Sequence, residues 1–377
     1  MMIKDTERAF FELLKAGLWS EINPSIRIDG ATDWKGVYQL AQEQSIQGFV
    51  LRGIEGLRAK GIELSVPKVL LLQWIGEVQV IEQRNKAMNV YIAELIEEMR
   101  SQGIYTLLVK GQGLAQCYNR PNWRSSGDVD LLLSKDNYEK AKAFILPKGV
   151  LTEPEEAGKK HLAIQVGQWA VELHGTLRVG LSARVDRMLD KVQYEIFYGG
   201  RVRSWMNGKT QVFLPAANED VVYVFAHILQ HFYKGGIGLR QICDWCRLLY
   251  TYRDLLNYKL LEQRIKRAGL MSEWKAFYNL ASRYLGMPDF GSGLMVHDSR
   301  YDKKADKICE FILEVGNFGH NRDNSYFQKH SYFVQKCISA WRRVKDLCRH
   351  ATIFPVSSMR FFFGIMHNGI VSAVRGE

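Results

Sequence analysis

Proline is scarce, with 8 residues in 377, and low-complexity tracts are absent. Disordered, collagen-like and Pro-rich linker chains are thereby excluded. Cysteine is also sparse: six residues, at 117, 243, 246, 309, 337 and 348, lie far apart without dense spacing. They predict reduced thiols and a cytoplasmic chain rather than a disulfide scaffold. No apolar run reaches the roughly 20 residues of a membrane span. The longest, 361–374, is broken by His367 and Asn368. Residues 1–8 lead into no apolar stretch of signal-peptide length, so export is not expected. Acid is in deficit, with 40 Asp and Glu against 51 Lys and Arg, and the resulting +11 favours anionic partners without choosing among nucleotide, nucleic acid and acidic lipid.

What is present is a globular composition, 47% hydrophobic and 12% aromatic, on a chain long enough for two or three folded units. Amphipathic helical stretches are expected at 5–18 and 33–44, and a long one follows Pro67. On it Trp74, Val78, Ile81, Asn85, Met88, Ile92, Leu95 and Met99 recur at helical spacing, with Asn85 the one polar member of the seam. After Gly103 the pattern changes to a β-branched, apolar strand at 104–109 that stops at Lys110-Gly111. A helix at 112–118, a strand at 129–133, a helix at 135–146 and strands at 161–166 and 169–173 follow. From Pro215 helices dominate, near 218–233, 239–252, 259–268, 272–285, 303–315 and 327–349, punctuated by Gly291, Gly293 and Gly319. The expected class is α+β: a helical region 1–101, an α/β domain 102–213 and a C-terminal helical domain 214–377.

The chemistry concentrates in that central domain. Asp128 and Asp130 stand two apart on a strand and so face one side. Their carboxylates repel unless a cation lies between them, and a divalent metal is the natural resolution, since hard cations take carboxylate oxygens and neutralise phosphates. Glu172, in the alternating run Trp169 to His174, is the candidate third carboxylate, and His174 shares its side. Upstream, Lys110-Gly111 turns a strand into a helix whose free N–H groups suit an anion such as a triphosphate, with Gly111 permitting close backbone approach.

Strand, Gly turn, helix, Asp-x-Asp and a later acid together resemble the nucleotidyltransferase fold of the DNA polymerase beta superfamily. More closely, Lys110-Gly111, Arg124, Gly127-Asp128-Val129-Asp130-Leu131-Leu132, Glu172-Leu173-His174 and the run from Gly236 to Trp245 resemble the bacterial uncharacterised nucleotidyltransferases. The resemblance covers the centre and the C-terminal half, the helical arm adding little. It implies a transferase in which Mg2+ (or Mn2+), held by Asp128, Asp130 and Glu172, serves a hydroxyl attacking the α-phosphate of an NTP. Glu172 would double as proton acceptor. Lys110, Gly111, Gln112, Arg124 and Arg240 would meet the nucleotide, although Gln112 stands where the superfamily has a small residue, with Gly113 and Lys110 as the compensation. The acceptor stays open: a tRNA end fits the charge, a small hydroxylated molecule or a protein side chain fits a helical cap.

Plainer roles stand beside each of these. Asp128 and Asp130 suit a solvated strand end, Glu172 a water-facing position, and Lys110 and Arg124 surface charges or partners of the carboxylates. His174 suits a hydrogen-bonded support. Arg240 and Asp244, four apart, suit a pair across one helical turn. His227, His231, Cys243 and Cys246 tempt a zinc reading that helix-face spacing explains as well. The tail 354–363 mixes basic and aromatic residues; packing of its aromatics into the body is expected before peripheral contact with a membrane. At the level of function, the alternative to an enzyme is a catalytically silent nucleotide-binding or regulatory module.

Overall fold

The computed structural model describes residues 5–19, 28, 32–152, 160–290, 293–317 and 332–362. Among the described residues the first elements are the helices α1 (Asp5–Leu18), α2 (Trp34–Glu43), α3 (Gln47–Ala59) and α4 (Lys68–Ser101). The Asp33 carboxylate caps α2 by accepting the Gly36 N–H, and Pro67 precedes α4. Along α4 the buried positions are Trp74, Val78, Asn85, Met88, Ile92, Leu95, Ile96 and Met99, so the helical period locates the seam, with Ile81 half-buried at its margin.

The sheet has the order β1-β2-β5-β4-β3, built from β1 (Thr106–Val109), β2 (Asp128–Leu133), β3 (Val150–Leu151), β4 (His161–Val166) and β5 (Trp169–His174). Only β2 and β5 run parallel. Ile104, expected in the first strand, instead gives its N–H to the Met99 carbonyl, closing the end of α4 through Gly103 at φ +67°. The helix expected at 112–118 is the shorter α5 (Gly111–Ala115). Then come α6 (Lys135–Ile145), α7 (Ala183–Tyr198) and a hairpin of β6 (Val202–Asn207) and β7 (Thr210–Pro215). The C-terminal part is α8 (Ala217–Lys234), α9 (Leu239–Thr251), α10 (Tyr258–Ala268), α11 (Met271–Leu285), α12 (Asp302–Val315) and α13 (Tyr332–Ala351), with helix again over 355–362. The expected helix start at 327–331, together with Gly291 and Gly319, falls outside the described residues.

Two cores result. One face of the sheet, with Val129, Leu131, Leu133, Leu162, Ile164, Val171 and Leu173, packs on Met88, Ile92 and Met99 of α4 and on Tyr138 and Ile145 of α6. The second core joins the two ends of the chain: Phe10, Leu14, Val50 and Trp74 share it with Phe225, Trp245, Trp274 and Phe277. Between α1 and α3 the backbones nearly touch, because a Cβ on Gly17 would lie 1.9 Å from the Phe49 carbonyl and one on Gly53 1.9 Å from the Leu13 carbonyl. Gln44, at the end of α2, accepts the Leu239 N–H at the start of α9 and donates to the Ile312 carbonyl of α12. In the tail, Phe354 and Phe361 are buried, the latter against Tyr233 at 4.8 Å, while residues 363–377 lie outside the described part. Among the described residues no helix is long and apolar enough to cross a membrane.

Candidate active site

The chain leaves β1 through a sharp turn, with Lys110 at φ 57° and Gly111 at φ +35°. A non-glycine residue in that region costs about 1–3 kcal/mol and persists where surrounding contacts hold it. Here the Lys110 ammonium reaches back to Asp130, Nζ lying 2.6 Å from Oδ1. Burial works against the charge on Lys110, but Asp130, with Tyr223, Glu172 and Asp128 beyond it, holds its pKa above the ordinary lysine value.

Asp130 is central by register. It pairs with Val109 of antiparallel β1 on one side and with Glu172 of parallel β5 on the other. Ligand oxygens of Asp128, Asp130 and Glu172 all lie within 4.8 Å of one another, on the sheet face opposite the apolar core. Such crowding is visible in the charges: Asp130, then burial, pushes the Asp128 carboxyl up. For Glu172, burial opposes the charge, yet His161, His174 and Lys110 hold its carboxyl well below the usual carboxylate range. His174 Nε2 lies 2.7 Å from Asp130 Oδ1 and 3.3 Å from Glu172 Oε2. His161 Nε2 lies 3.2 Å from that same Glu172 oxygen.

A loop before β2 forms the facing wall, and it is pinned from two sides. Arg124, 5% exposed, makes a bidentate pair with Asp244 of α9, Nε at 2.8 Å and Nη2 at 2.7 Å. Tyr118 donates to the same carboxylate at 2.9 Å, and Arg124 Nη1 donates to Ser126 Oγ at 2.8 Å. From α4, the Asn85 amide donates to the Arg124 carbonyl at 2.7 Å and the Asn122 carbonyl at 2.8 Å. Gln112 in turn donates to Asn85 Oδ1 at 2.8 Å. Its amide nitrogen is thus engaged with α4, and Gln112 is not among the residues lining the cavity, where a nucleotide contact was expected. The same Gln112 amide nitrogen also lies 3.4 Å from the Met88 sulfur. Arg240 donates to the Ser125 carbonyl. Arg124 engages both oxygens of Asp244, the residue for which a pair with Arg240 across one helical turn was the plainer role. Burial and the neighbouring Arg124 push the Arg240 guanidinium down to about 10.

These elements enclose a cavity of about 290 Å³ lined by Lys110, Gly111, Arg124, the 125–127 loop, Asp128, Asp130, His227, Arg240 and Asp244, with Ser45 from the α2–α3 turn. Glu172 completes the carboxylate group beside Asp130 but lies off that wall. Sequence reasoning missed Ser45, His161 and the role of Asn85. His161 was reachable, because the tight Gly167-Gln168 turn pairs Val166 with Trp169 and therefore His161 with His174. The His227 and His231 rings meet at 2.9 Å on α8, and Cys243 and Cys246 are buried with thiols pushed up by burial. Among the described residues, the groups able to gather round one ion are Asp128 with Asp130 and Glu172, and His161 with Glu172 and His174.

A family model described as uncharacterised nucleotidyltransferase matches residues 30–286. The chain belongs to this family. The nucleotidyltransferase match begins well inside the helical arm, which corrects the expectation that the arm adds little: Ser45 and Asn85, both within it, line the cavity and brace its loop. Membership points to nucleotidyl transfer from an NTP, a reaction that generally employs a divalent metal. No curated protein matches. The solved structure of an antigenic nucleotidyltransferase-like protein from Paracoccidioides brasiliensis is similar at 14% identity, over 48% of this chain and 92% of its own, with a TM-score of 0.27. At that score no residue role is transferred from it.

Proposed function

We propose that this nucleotidyltransferase moves a nucleoside monophosphate from an NTP to a hydroxyl acceptor at the face carrying Asp128, Asp130 and Glu172. The observation that carries the reading is the meeting of three carboxylates from two paired strands within 4.8 Å, beside a cavity lined by cationic side chains. The group fits Mg2+ or Mn2+: hard oxygen donors converge, and the mutual repulsion that pushes Asp128 up is what a divalent ion relieves. When bound, the ion would neutralise phosphate charge and lower the pKa of the acceptor hydroxyl. The protein's own part is positioning and charge. Arg240 and Lys110 offer positive charge to phosphate oxygens, the Lys110-Gly111 turn lets backbone approach them, and Arg124, committed to Asp244, holds the loop that closes the wall. As the hydroxyl oxygen bonds to the α-phosphorus, the bond to the β-phosphate bridging oxygen breaks and pyrophosphate leaves. The hydroxyl proton would pass to a carboxylate of this face, Glu172 being the acceptor that the resemblance implies. The acceptor class is left open among a tRNA end, a small molecule and a protein.

Asp130→Asn tests this. The fold should persist by circular dichroism, with a lowered melting temperature because Lys110 loses its charged partner, while calorimetric binding of a non-hydrolysable NTP with Mg2+ and transfer from labelled ATP, CTP, GTP and UTP both fall by at least tenfold; unchanged binding and transfer would reject the site. A second reading, a silent nucleotide-binding module, is favoured by one contact: the Lys110 ammonium already compensates Asp130 at 2.6 Å. It predicts NTP binding by wild type without transfer to any acceptor.

A further inference from the structure

We propose that His161, Glu172 and His174 form a second cation site, distinct in donor type from the three-carboxylate group and sharing Glu172 with it, that takes a first-row transition ion such as Zn2+. The proposal adds to the reading of the carboxylate face but does not depend on nucleotide transfer.

Strand geometry builds the site. His161 of β4 is the direct cross-strand partner of His174 of β5, and Glu172 lies two residues before His174, so all three project from one sheet face. The three ligand atoms lie within 4.8 Å of one another, with His161 Nε2 at 3.2 Å and His174 Nε2 at 3.3 Å from the same Glu172 oxygen. Donors at about 2.0–2.1 Å from a tetrahedral ion stand roughly 3.4 Å apart, and each nitrogen already holds nearly that spacing from the oxygen. Side-chain exposures of 36% for His161, 28% for Glu172 and 12% for His174 leave an approach for the ion and for a solvent ligand completing its shell.

Donor chemistry separates the two sites. Two imidazoles and one carboxylate suit Zn2+ and its neighbours, whereas all-oxygen donors suit Mg2+ and Mn2+. Glu172 has two oxygens and can bridge, which would place two unlike ions side by side, at the few-ångström separation that two-metal enzymes use. The plainer reading, histidines that merely support Glu172, accounts for His174, which also contacts Asp130 at 2.7 Å. It gives no reason for a second imidazole on the same oxygen from a separate strand.

The probe is Zn2+ alone, added to chelator-treated full-length protein and quantified by equilibrium dialysis with elemental analysis. Wild type is expected to retain Zn2+. His161→Ala should weaken retention at least tenfold, and Asp128→Asn, which alters only the carboxylate group, should keep it even where Mg2+-supported NTP binding is lost. Zn2+ retention in Asp128→Asn therefore separates failure of this site from failure of the transferase reading. X-ray absorption of the Zn2+-loaded wild type supplies a check independent of any variant, with two imidazole ligands expected. No retention by wild type, equal retention by His161→Ala, or fewer than two imidazoles in the zinc shell would each overturn the proposal. Should His161→Ala melt early, His161→Gln keeps the strand position filled and carries the same expectation.

Discussion

Asn85 is a buried amide, 1% exposed, set among the apolar residues of α4, where an unsatisfied polar group would cost about 1–3 kcal/mol. It is satisfied instead by the Arg124 and Asn122 carbonyls and by Gln112. Asn85→Leu keeps the helix and the volume but leaves those partners stranded. Urea unfolding should show a loss of about 2 kcal/mol or more, and NTP affinity should fall with it because the Arg124 loop loses its α4 anchor. Unaltered stability would mean that the loop is held from α9 alone. Arg240 gives the opposite balance. Its guanidinium lines the cavity and is pushed down to about 10 by burial and Arg124, so it sits where added anionic charge is welcome. Arg240→Ala is expected to weaken NTP binding at least tenfold in calorimetric titration while shifting the melting temperature little. Equal dissociation constants would return Arg240 to a purely structural place.

Between elements, α1 and α3 approach so closely that Gly17 faces the Phe49 carbonyl and Gly53 the Leu13 carbonyl with no room for a Cβ. Gly53→Ala would gain helix propensity of about 1 kcal/mol in isolation. In the fold it must push the backbones apart, and overpacking is expected to cost about 3 kcal/mol or more, read as a lowered urea midpoint. A variant as stable as wild type would show that the two helices can separate freely. Glycines explain why α3 escaped the sequence reading: Gly48, Gly53 and Gly56 depress helix propensity and blur the apolar period, and only tertiary packing supplies a reason for Gly53, against Leu13 of α1, and for Gly48, against the Trp123 carbonyl. In α4 the period is unbroken, and its seam was legible apart from Ile81, which is half-buried, and Ile96, which joins it. Likewise Asp128, Asp130 and Glu172 were legible as a group, because strand alternation puts them on one face without knowledge of the rest. The hairpin of β6 and β7 was not, since its first strand alternates between exposed and half-buried positions and shows no apolar run, although Asn207-Gly208 marks the turn. Nor was the Gln112–Asn85 contact, which joins a turn to a helix and has no periodic signature.

Taken whole, the molecule places its acidic sheet face beneath helices that share a core with the start of the chain. The cavity wall therefore draws on residues from Ser45 to Asp244. Arg124 and Asp244 are 120 residues apart, and both are nearly fully buried. At a synthesis rate of about 5–20 residues per second, Arg124 leaves the ribosome roughly 6–24 s before its partner. Throughout that interval Asn85, made earlier, can already hold the loop from one side, while the carboxylate strands have no α9 above them. A chain halted after β5 and before α9 lacks both Arg240 and Asp244, two of the residues that line the cavity. On the proposed function, competence for nucleotide would come late in biogenesis, once α9 has emerged and the buried pair between Arg124 and Asp244 can form.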